Sequence, residues 1–195
     1  MTQLPVKPSP NEMKYELIDR GFFQGGASSL RVTKPGSRHR FEFRFPPMKP
    51  DESAAFEAKL KRAKRTGVQI DIPVRRNQGI SGSPVFDGAV TTMLTAVPMR
   101  GFRPGYAIKE NFWFTATEAA TGQKHVYSVF ETVIADENGE ATVEIEPPLR
   151  APFADGDTIE FDKPFVTGFM VGEVFTVEVS SDDFVKHAVV IEEYR

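Results

Sequence analysis

One short stretch, residues 38–74, constrains the fold of this chain more than any other. Within it, residues 40–45 read Arg-Phe-Glu-Phe-Arg-Phe, so a phenylalanine occupies every second position. Because successive side chains of a strand point to opposite faces, this alternation predicts a strand with one apolar face. Burying three phenylalanine side chains contributes roughly 1.5–3 kcal/mol each, which fixes the register of the strand. Pro46 and Pro47 follow, and since proline donates no backbone hydrogen bond, the strand is predicted to end there.

A helix is predicted over residues 50–66. Pro50 suits the first helical position, acidic residues fill the first turn, basic residues fill the last turn, and Gly67 suits the C-terminal cap. The apolar residues recur at the spacing of a single buried stripe, which is predicted to consist of Phe56, Leu60 and Ala63.

The segments on either side of the helix indicate how the chain is divided. Residues 1–12 contain three prolines and are predicted to be an extended arm. Residues 68–74 alternate again, and Pro73 favours a position at a sheet edge. The stretch "RRNQGISGSP" (75–84) is polar and contains two glycines, so we interpret it as a joint and as a domain boundary.

Beyond this joint, residues 85–162 contain short strand-like runs separated by polar turns. Asn138-Gly139 predicts a two-residue hairpin turn. A meander of about five strands without a helix is typical of a small barrel. Two further alternating strands are predicted around residues 173–179 and 184–192.

Composition excludes several classes of protein. The chain has a formal net charge of −3, so it is not a general binder of nucleic acid. The absence of cysteine excludes disulfides, thiolate chemistry and cysteine zinc sites. The N-terminal segment lacks the apolar core of a signal peptide, and no run approaches the roughly 20 apolar residues that span a bilayer, so we expect no membrane insertion.

No catalytic constellation emerges from the motifs. His39, His125 and His187 lie far apart, without metal-ligand spacing. "GISGSP" (79–84) lacks the G-x-S-x-G order of a nucleophile elbow, so a flexible joint is the preferred interpretation. The carboxylates of "DENGE" and "ADGDT" lack calcium-loop spacing and are predicted to form tight turns. We therefore expect no enzyme activity, no catalytic residues, no metal and no cofactor; the enzyme alternative, a wall-degrading hydrolase, requires a paired-carboxylate cleft.

Basic residues form the strongest electrostatic feature of the sequence. Three interpretations are open: a nucleic-acid patch, a solvated helix face, or a contact with an acidic neighbour, which other copies of this chain can supply. The residues concerned are Lys59, Lys61, Arg62, Lys64 and Arg65 of the helix, together with Arg38, Arg40 and Arg44.

The strand, the "PPM" step, the alanine-rich helix and the next strand together resemble tail proteins of long-tailed (siphophage-type) phages and prophages. The later stretches "GSPVFDGAV" and "VIADENGEATVEIEPPLRAPFADGDTIEF" resemble the same proteins, through an acidic turn, an "EPPLR" segment and a short "DG" step. Among the minor tail proteins that this sequence resembles, the distal tail protein family is the closest functional match.

This resemblance implies a mainly β fold. It implies a sandwich-like, ring-forming β domain with one helix, built from residues 13–80 and 163–195, and an inserted barrel of the oligonucleotide/oligosaccharide-binding type at 81–162. The implied function is a structural one: a ring, expected to be a hexamer, that connects the tail tube to the hub and the other tail-tip proteins. The genome would pass through its channel without sequence-specific binding. The implied location is the virion tail tip, and the host cytoplasm during assembly.

Two sets of site residues follow from these expectations. The subunit-interface candidates are Arg40, Arg44, Lys61, Arg62 and Arg65. As an alternative function, the barrel is a tail-tip module that binds a host carbohydrate or another protein, with Trp113 as the contact residue. In that alternative the aromatic platform consists of Phe112, Trp113, Phe114 and Tyr127.

Overall fold

The computed structural model describes residues 1–4, 8–19, 21–24, 30–32, 36–74, 78–172, 178–179 and 184–194. Of these residues, 45% lie in strands, and the described helix is α1 (Pro50–Thr66), so the fold is mainly β with one helix. The strands are β1 (Thr2–Gln3), β2 (Glu12–Ile18), β3 (Phe22–Gln24), β4 (Leu30–Val32), β5 (Arg38–Arg44), β6 (Val68–Asp71), β7 (Gly82–Phe86), β8 (Ala96–Phe102), β9 (Ala107–Ile108), β10 (Trp113–Thr117), β11 (Lys124–Val129), β12 (Val133–Ile134), β13 (Ala141–Glu146), β14 (Ile159–Glu160), β15 (Phe165–Met170), β16 (Glu178–Val179), β17 (Val185–Lys186) and β18 (Ala188–Glu193).

The chain divides into two compact units. The helix–sheet unit consists of Met1–Glu16, His39–Pro73 and Val166–Tyr194. The barrel unit consists of Leu17–Arg38 and Val74–Phe165. The barrel unit thus includes residues 17–38, which the sequence interpretation had assigned to the first domain. These residues contain the antiparallel pair β3–β4.

The helix–sheet unit is a six-stranded sheet in the order β1-β6-β15-β18-β5-β2, covered by α1. On β5, Phe41 lies opposite Ile191 and Phe43 lies opposite Val189, and all four side chains are buried. The ring of Phe56 on α1 packs edge-on against Phe45, with 4.7 Å between centroids. The phenylalanine face of β5 therefore faces the helix, and the predicted apolar face of this strand is confirmed.

The helix begins and ends where the sequence signals placed it. Pro50 is its first residue, Gly67 follows its last turn with a φ of +83°, and the buried side includes Phe56, Leu60 and Ala63. Positive φ is accessible to glycine at low cost, which explains the stop at this position. With 17 residues, and charges along its exposed side, α1 is too short and too polar to cross a membrane, and no other described segment is such a helix.

Two expectations about the edge of this sheet differ from the structure. Residues 1–12 are not entirely an arm, because Thr2 and Gln3 pair in parallel with Val68 and Gln69, and Leu4 is buried. Strand β6 is consequently not at the edge, since β1 covers it on one side and β15 on the other. Pro73 does not interfere, because β6 ends before it.

The barrel unit contains a second six-stranded sheet, in the order β14-β10-β11-β13-β8-β7. Its two end strands meet: Val85 and Thr158 form an antiparallel bridge, and the Phe86 N–H donates to the Asp157 carbonyl at 3.1 Å. The sheet is therefore nearly closed into a barrel, which leaves few strand edges unpaired. Its interior is a single apolar cluster whose large members include Phe86, Phe102, Phe114, Tyr127, Phe153 and Phe161.

In the barrel, glycine residues allow the strands β7 and β8 to approach each other closely. Gly82 on β7 and Gly101 on β8 both have positive φ, and an added Cβ at Gly101 would lie 2.5 Å from the Ser83 carbonyl oxygen. Only glycine fits at that distance, and the register shifts between Gly82 and Val85.

The Asn138-Gly139 turn is present but is not the predicted two-residue hairpin. The Asp136 N–H donates to the Glu140 carbonyl at 3.0 Å, which leaves three residues between the closing pair. The strand before the turn, β12, pairs with β9 instead of β13. The dipeptide indicates a turn, but the partners of the flanking strands depend on distant residues.

The predicted joint at 75–84 also differs in part. Residues 75–77 lie outside the described residues. Gln78 and Ser81 are buried, and Gly82–Phe86 is strand β7. The second half of this segment is therefore part of the barrel and not a flexible linker.

Candidate interaction surfaces

The exposed side of α1 carries the basic residues that the sequence singled out. Lys61, Arg62 and Arg65 are exposed, while Phe56 and Leu60 on the other side of the helix are buried. One of these cations is paired along the helix: the Lys61 ammonium lies 3.6 Å from the Glu57 carboxylate, four residues earlier. Exposed pairs of this kind contribute about 0.3–0.5 kcal/mol, so the helix cations remain available to a partner.

A second charged surface lies on the face of the sheet that points away from α1. Since Phe41 and Phe43 point toward the helix, Arg40, Glu42 and Arg44 point to the opposite face. We call this surface the charged sheet face; it consists of Glu12, Lys14 and Glu16 of β2, Arg40, Glu42 and Arg44 of β5, and Glu192 of β18.

Opposite charges alternate across the charged sheet face. The Lys14 ammonium lies 2.9 Å from Glu16, and this hydrogen bond raises the pKa of Lys14 and lowers the pKa of Glu16. The Arg44 guanidinium lies 2.9 Å from Glu42 and 3.5 Å from Glu12, and the hydrogen bond to Glu42 raises the pKa of Arg44. Apart from the partly buried Glu42, these side chains are solvent-exposed, so the pairs set a pattern of charge more than they stabilise the sheet.

A groove of about 680 Å³ opens beside this face. Charges of both signs line it, so its chemistry suits a polypeptide surface with mixed charge better than a simple anion or cation. Its polar lining includes Asn11, Glu12, Glu42, Arg44, Lys64 and Lys186.

The structure separates the predicted interface residues into two groups. Arg40 and Arg44 lie on the charged sheet face, whereas Lys61, Arg62 and Arg65 lie on the exposed side of α1. The single basic surface suggested by their proximity in sequence is therefore divided between opposite sides of the helix–sheet unit. Arg38 belongs to neither group because it is buried, at 7% exposure.

The predicted aromatic platform of the barrel is not exposed. Trp113 is 7% exposed, and Phe112, Phe114 and Tyr127 are at most 4% exposed. Residues 113–116 of β10 are all buried, so both faces of this strand are covered. No member of the platform offers a ring face for stacking on a sugar.

The backbone of Trp113 is instead hydrogen-bonded to the buried side-chain amide of Gln78, a residue of the joint predicted at 75–84. The Gln78 Nε2 group donates to the carbonyls of Trp113 and Phe161, at 2.8 and 2.7 Å, and its Oε1 accepts from the Trp113 N–H at 2.9 Å. Tyr106 donates its hydroxyl to the Gln78 carbonyl, and burial together with Asp162 raises the pKa of Tyr106 to about 12. Gln78 thus links three parts of the barrel unit, and no local motif reveals these partners.

A serine, a histidine and a glutamate meet beneath α1. Ser53 Oγ lies 2.8 Å from His187 Nε2 and donates to Glu57 Oε1 at 2.9 Å. Since the serine proton points to Glu57, the imidazole Nε2–H donates to the hydroxyl oxygen, the reverse of the arrangement that activates a nucleophile. Burial lowers the pKa of His187, partly opposed by Glu57, so the ring is neutral near neutral pH. With Ser53 at 1% and His187 at 3% exposure, this cluster packs the helix onto the sheet.

The carboxylates of the "ADGDT" segment bind protein groups. Asp155 accepts from Arg100 at 2.5 Å and from the Gly88 N–H at 2.9 Å, and the bond to Arg100 lowers the pKa of Asp155. Asp157 is buried and accepts from the N–H groups of Ala119 and Ala154. The segment forms the predicted turn, and no group of three His, Asp or Glu side chains among the described residues is arranged to hold a metal ion.

Comparison with known proteins gives no family for this chain: neither the protein-family models nor the curated proteins contain a match.

Proposed function

We propose that this chain is a structural subunit of a phage tail tip: a distal tail protein whose copies form a ring, a hexamer in its simplest form, between the tail tube and the hub. The genome passes through the channel of the ring, and the chain makes no sequence-specific contact with it. Assembly in the host cytoplasm and a final position at the virion tail tip follow from this role.

One observation carries the proposal: the helix–sheet unit bears two different charged surfaces on opposite sides. A ring is closed by head-to-tail contacts, in which one surface of each copy meets a different surface of the next. Such a subunit also meets the tail tube on one side and the hub on the other. The helix cations and the charged sheet face are suited to such contacts, since charge patterns give register and partner choice.

A carbohydrate-binding role for the barrel has less support. Sugar recognition by stacking needs an exposed aromatic face, and the four candidate rings are buried. If a glycan array shows binding that Trp113→Ala abolishes while the circular dichroism and thermal unfolding of the variant match the parent protein, the barrel is a host-adsorption module and not only a structural one.

Electron microscopy tests the ring directly. Particles of the purified protein should show sixfold symmetry around a central hole after rotational averaging. Added to tail tubes, the protein should bind at one end of the tube only. Protein that stays monomeric at high concentration and does not decorate tube ends would rule out the proposed function.

A further inference from the structure

The barrel unit exposes two large apolar side chains on neighbouring segments that also carry four exposed carboxylates. Phe130 and Ile134 are 62% and 64% exposed, and no other large apolar side chain in the described residues exceeds these values. Large apolar side chains that stay this exposed, and that lie together with a charged rim, are typical of protein–protein contact sites. We call this surface the acidic barrel patch; it consists of Glu110, Phe130, Glu131, Ile134, Glu144 and Glu146.

Strand pairing brings these residues together. Ser128 on β11 pairs with Glu146 on β13, and two residues further the Phe130 N–H donates to the Glu144 carbonyl at 2.8 Å. Phe130, Glu144 and Glu146 are exposed while the intervening Ile145 is buried, so the three side chains share the outer face.

The neighbouring pair β9–β12 supplies the rest of the acidic barrel patch. The Glu110 N–H donates to the Thr132 hydroxyl at 3.2 Å, and Ile134 pairs with Ala107. Glu131 lies between Phe130 and Thr132 and is exposed. Among the described residues, none of the four glutamates of the patch forms an ion pair. Their charge is therefore uncompensated within the chain as described.

The exposed side of α1 has the opposite chemistry. Its C-terminal half carries exposed basic residues, and within the described chain Arg62 and Arg65 form no ion pair. Its preceding turns expose Ala54, Ala55 and Ala58, whose short side chains allow a neighbouring surface to come close to the helix. These basic residues lie near the C-terminal end of the helix, where the negative end of the helix dipole also stabilises positive charge.

From these two surfaces we infer that the acidic barrel patch of one copy binds the exposed side of α1 in the next copy. This inference rests on the proposed ring and names the contact that closes it. In this contact the side chains of Phe130 and Ile134 are buried against the exposed alanines of α1. The glutamates pair with Arg62, Arg65 and the helix lysines. Arginine is suited to this task because its planar guanidinium binds a carboxylate through two parallel hydrogen bonds. Because the two surfaces differ, the contact is head-to-tail and repeats around a ring.

Charge reversal on each surface gives the test. The helix variant is Arg62→Glu with Arg65→Glu, and the barrel variant is Glu131→Lys with Glu144→Lys. All four side chains are exposed, so circular dichroism and thermal unfolding should match the parent protein. The matched control reverses two exposed cations outside both surfaces, Arg103→Glu with Lys163→Glu.

The expected results are specific to a head-to-tail contact. Each variant alone should associate at least about tenfold more weakly than the parent protein, because like charges now face each other. Mixed in equal amounts, the two variants should form rings in which they alternate, since each reversed surface meets its reversed complement. A chain with all four reversals should assemble with itself but not with the parent protein. The control variant should behave as the parent.

Two further results bear on the apolar part of the acidic barrel patch and on alternatives. Phe130→Ser should weaken association without lowering the thermal unfolding temperature, because this ring is already exposed to water.

If the parent protein forms rings and the reversals leave them intact, the inference is wrong and the proposed function stands. If the parent protein forms no ring, both fail. If the reversals abolish only binding to isolated hub or tube protein, the patch binds that partner and not a second copy.

Discussion

The two units of this protein use their sheets in different ways. In the barrel unit the end strands β7 and β14 meet through the Val85–Thr158 bridge, so the backbone hydrogen-bonding groups are used within the sheet. In the helix–sheet unit, β2 is an edge strand, and its exposed glutamate and lysine side chains form part of the charged sheet face. Charged edges of this kind prevent unspecific pairing with other sheets while they leave a surface for a matched partner.

The interiors differ as well. The barrel is built around one apolar cluster. The helix–sheet unit buries polar contacts within its layers: the His39 N–H donates to the Glu193 carboxylate at 2.6 Å, and His187 contacts Ser53 under α1. The barrel also buries a polar side chain, Gln78, but its amide does not titrate. Burial lowers the pKa of His187, so the stability of the helix–sheet unit depends in part on protonation.

The largest expected effect comes from the barrel core. Phe161 is fully buried and packs against Phe102 and Phe114. Phe161→Ala should lower the unfolding free energy of the barrel by about 3–5 kcal/mol, because the removed ring leaves a cavity. Urea unfolding followed by the fluorescence of Trp113, the only tryptophan, reports on this unit. Phe130→Ala is the control and should change stability by less than about 0.5 kcal/mol; an equal effect of both changes would contradict the packing described for the barrel.

A somewhat smaller effect is expected at Gln78. Gln78→Leu keeps the size of the side chain but leaves the Trp113 N–H and two carbonyls without their buried partner. Each buried group that loses its hydrogen bond costs about 1–3 kcal/mol, and partial relaxation should hold the total near 3 kcal/mol. The Trp113 emission should also shift, because the amide lies against its backbone. Gln123→Leu, at an exposed turn, is the matched control; if the two variants unfold at the same urea concentration, Gln78 is not the link proposed between these strands.

The helix–sheet unit should respond to acid through His187. Burial lowers the pKa of His187 in the folded chain below its value of about 6.5 in the unfolded chain. At a pH between these two pKa values, the unfolded chain therefore binds more protons than the folded chain. Stability from this group is therefore fully present above the unfolded pKa, falls as the pH drops toward the folded pKa, and then becomes constant. His187→Gln keeps a donor for Ser53 and should remove this part of the pH dependence.

The signal for this test is the helical circular dichroism of α1, measured in urea at a series of pH values. His187→Gln should cost about 1 kcal/mol at neutral pH, where the contact of the ring with Phe56 is lost. Ser53→Ala is the control: it removes the hydroxyl partner but leaves the ring buried, so the acid sensitivity should persist. If the unfolding free energies of the parent protein and of His187→Gln change with pH in the same way between neutral pH and mild acid, the ring does not titrate as described.

The smallest effect is expected at the rim of the barrel. Arg100 lies 2.6 Å from Asp87 and 2.5 Å from Asp155, but all three side chains are more than a third exposed. Arg100→Met should lower the unfolding free energy only slightly, and the loss should shrink as salt is added. Arg103→Met, at another exposed cation of the same unit, should cost nothing measurable. A loss at Arg100 that persists in high salt would indicate packing and not charge.

Local signals predicted the helix and the phenylalanine strand well. Proline at the start, glycine at the end and a stripe of Phe56, Leu60 and Ala63 all lie within one segment, so no distant residue is needed to interpret them. The same holds for the turn in "ADGDT". In these places local propensity and the final fold agree.

The features that the sequence did not reveal depend on distant partners. Gln78 looks like a linker residue, and its partners lie 35 and 83 residues away. Thr2 and Gln3 become a strand only because β6 accepts them in parallel. Trp113 alternates with its neighbours, but alternation within one strand does not show whether a second layer covers its outer face.

The candidate interaction surfaces show the same limit. Arg44 and Arg62 are close in sequence, but the turn between β5 and α1 places them on opposite sides of the unit. The acidic barrel patch was missed because its members come from four separate places in the chain: the segment just after β9, the segment between β11 and β12, β12 itself and β13. The one local signal was the pair Phe130–Glu131, an aromatic residue beside an acidic one at a strand end.

Native mass spectrometry over a series of protein concentrations tests the central claim, assembly of identical copies into a closed ring, most directly. If the copies form a closed ring, the spectra should show one dominant assembly, six times the chain mass in the simplest case. Its share should grow at the expense of the monomer as the concentration rises, and no larger assemblies should appear. A spectrum that shows only monomer at every concentration, or an open-ended ladder of increasing masses, would contradict it.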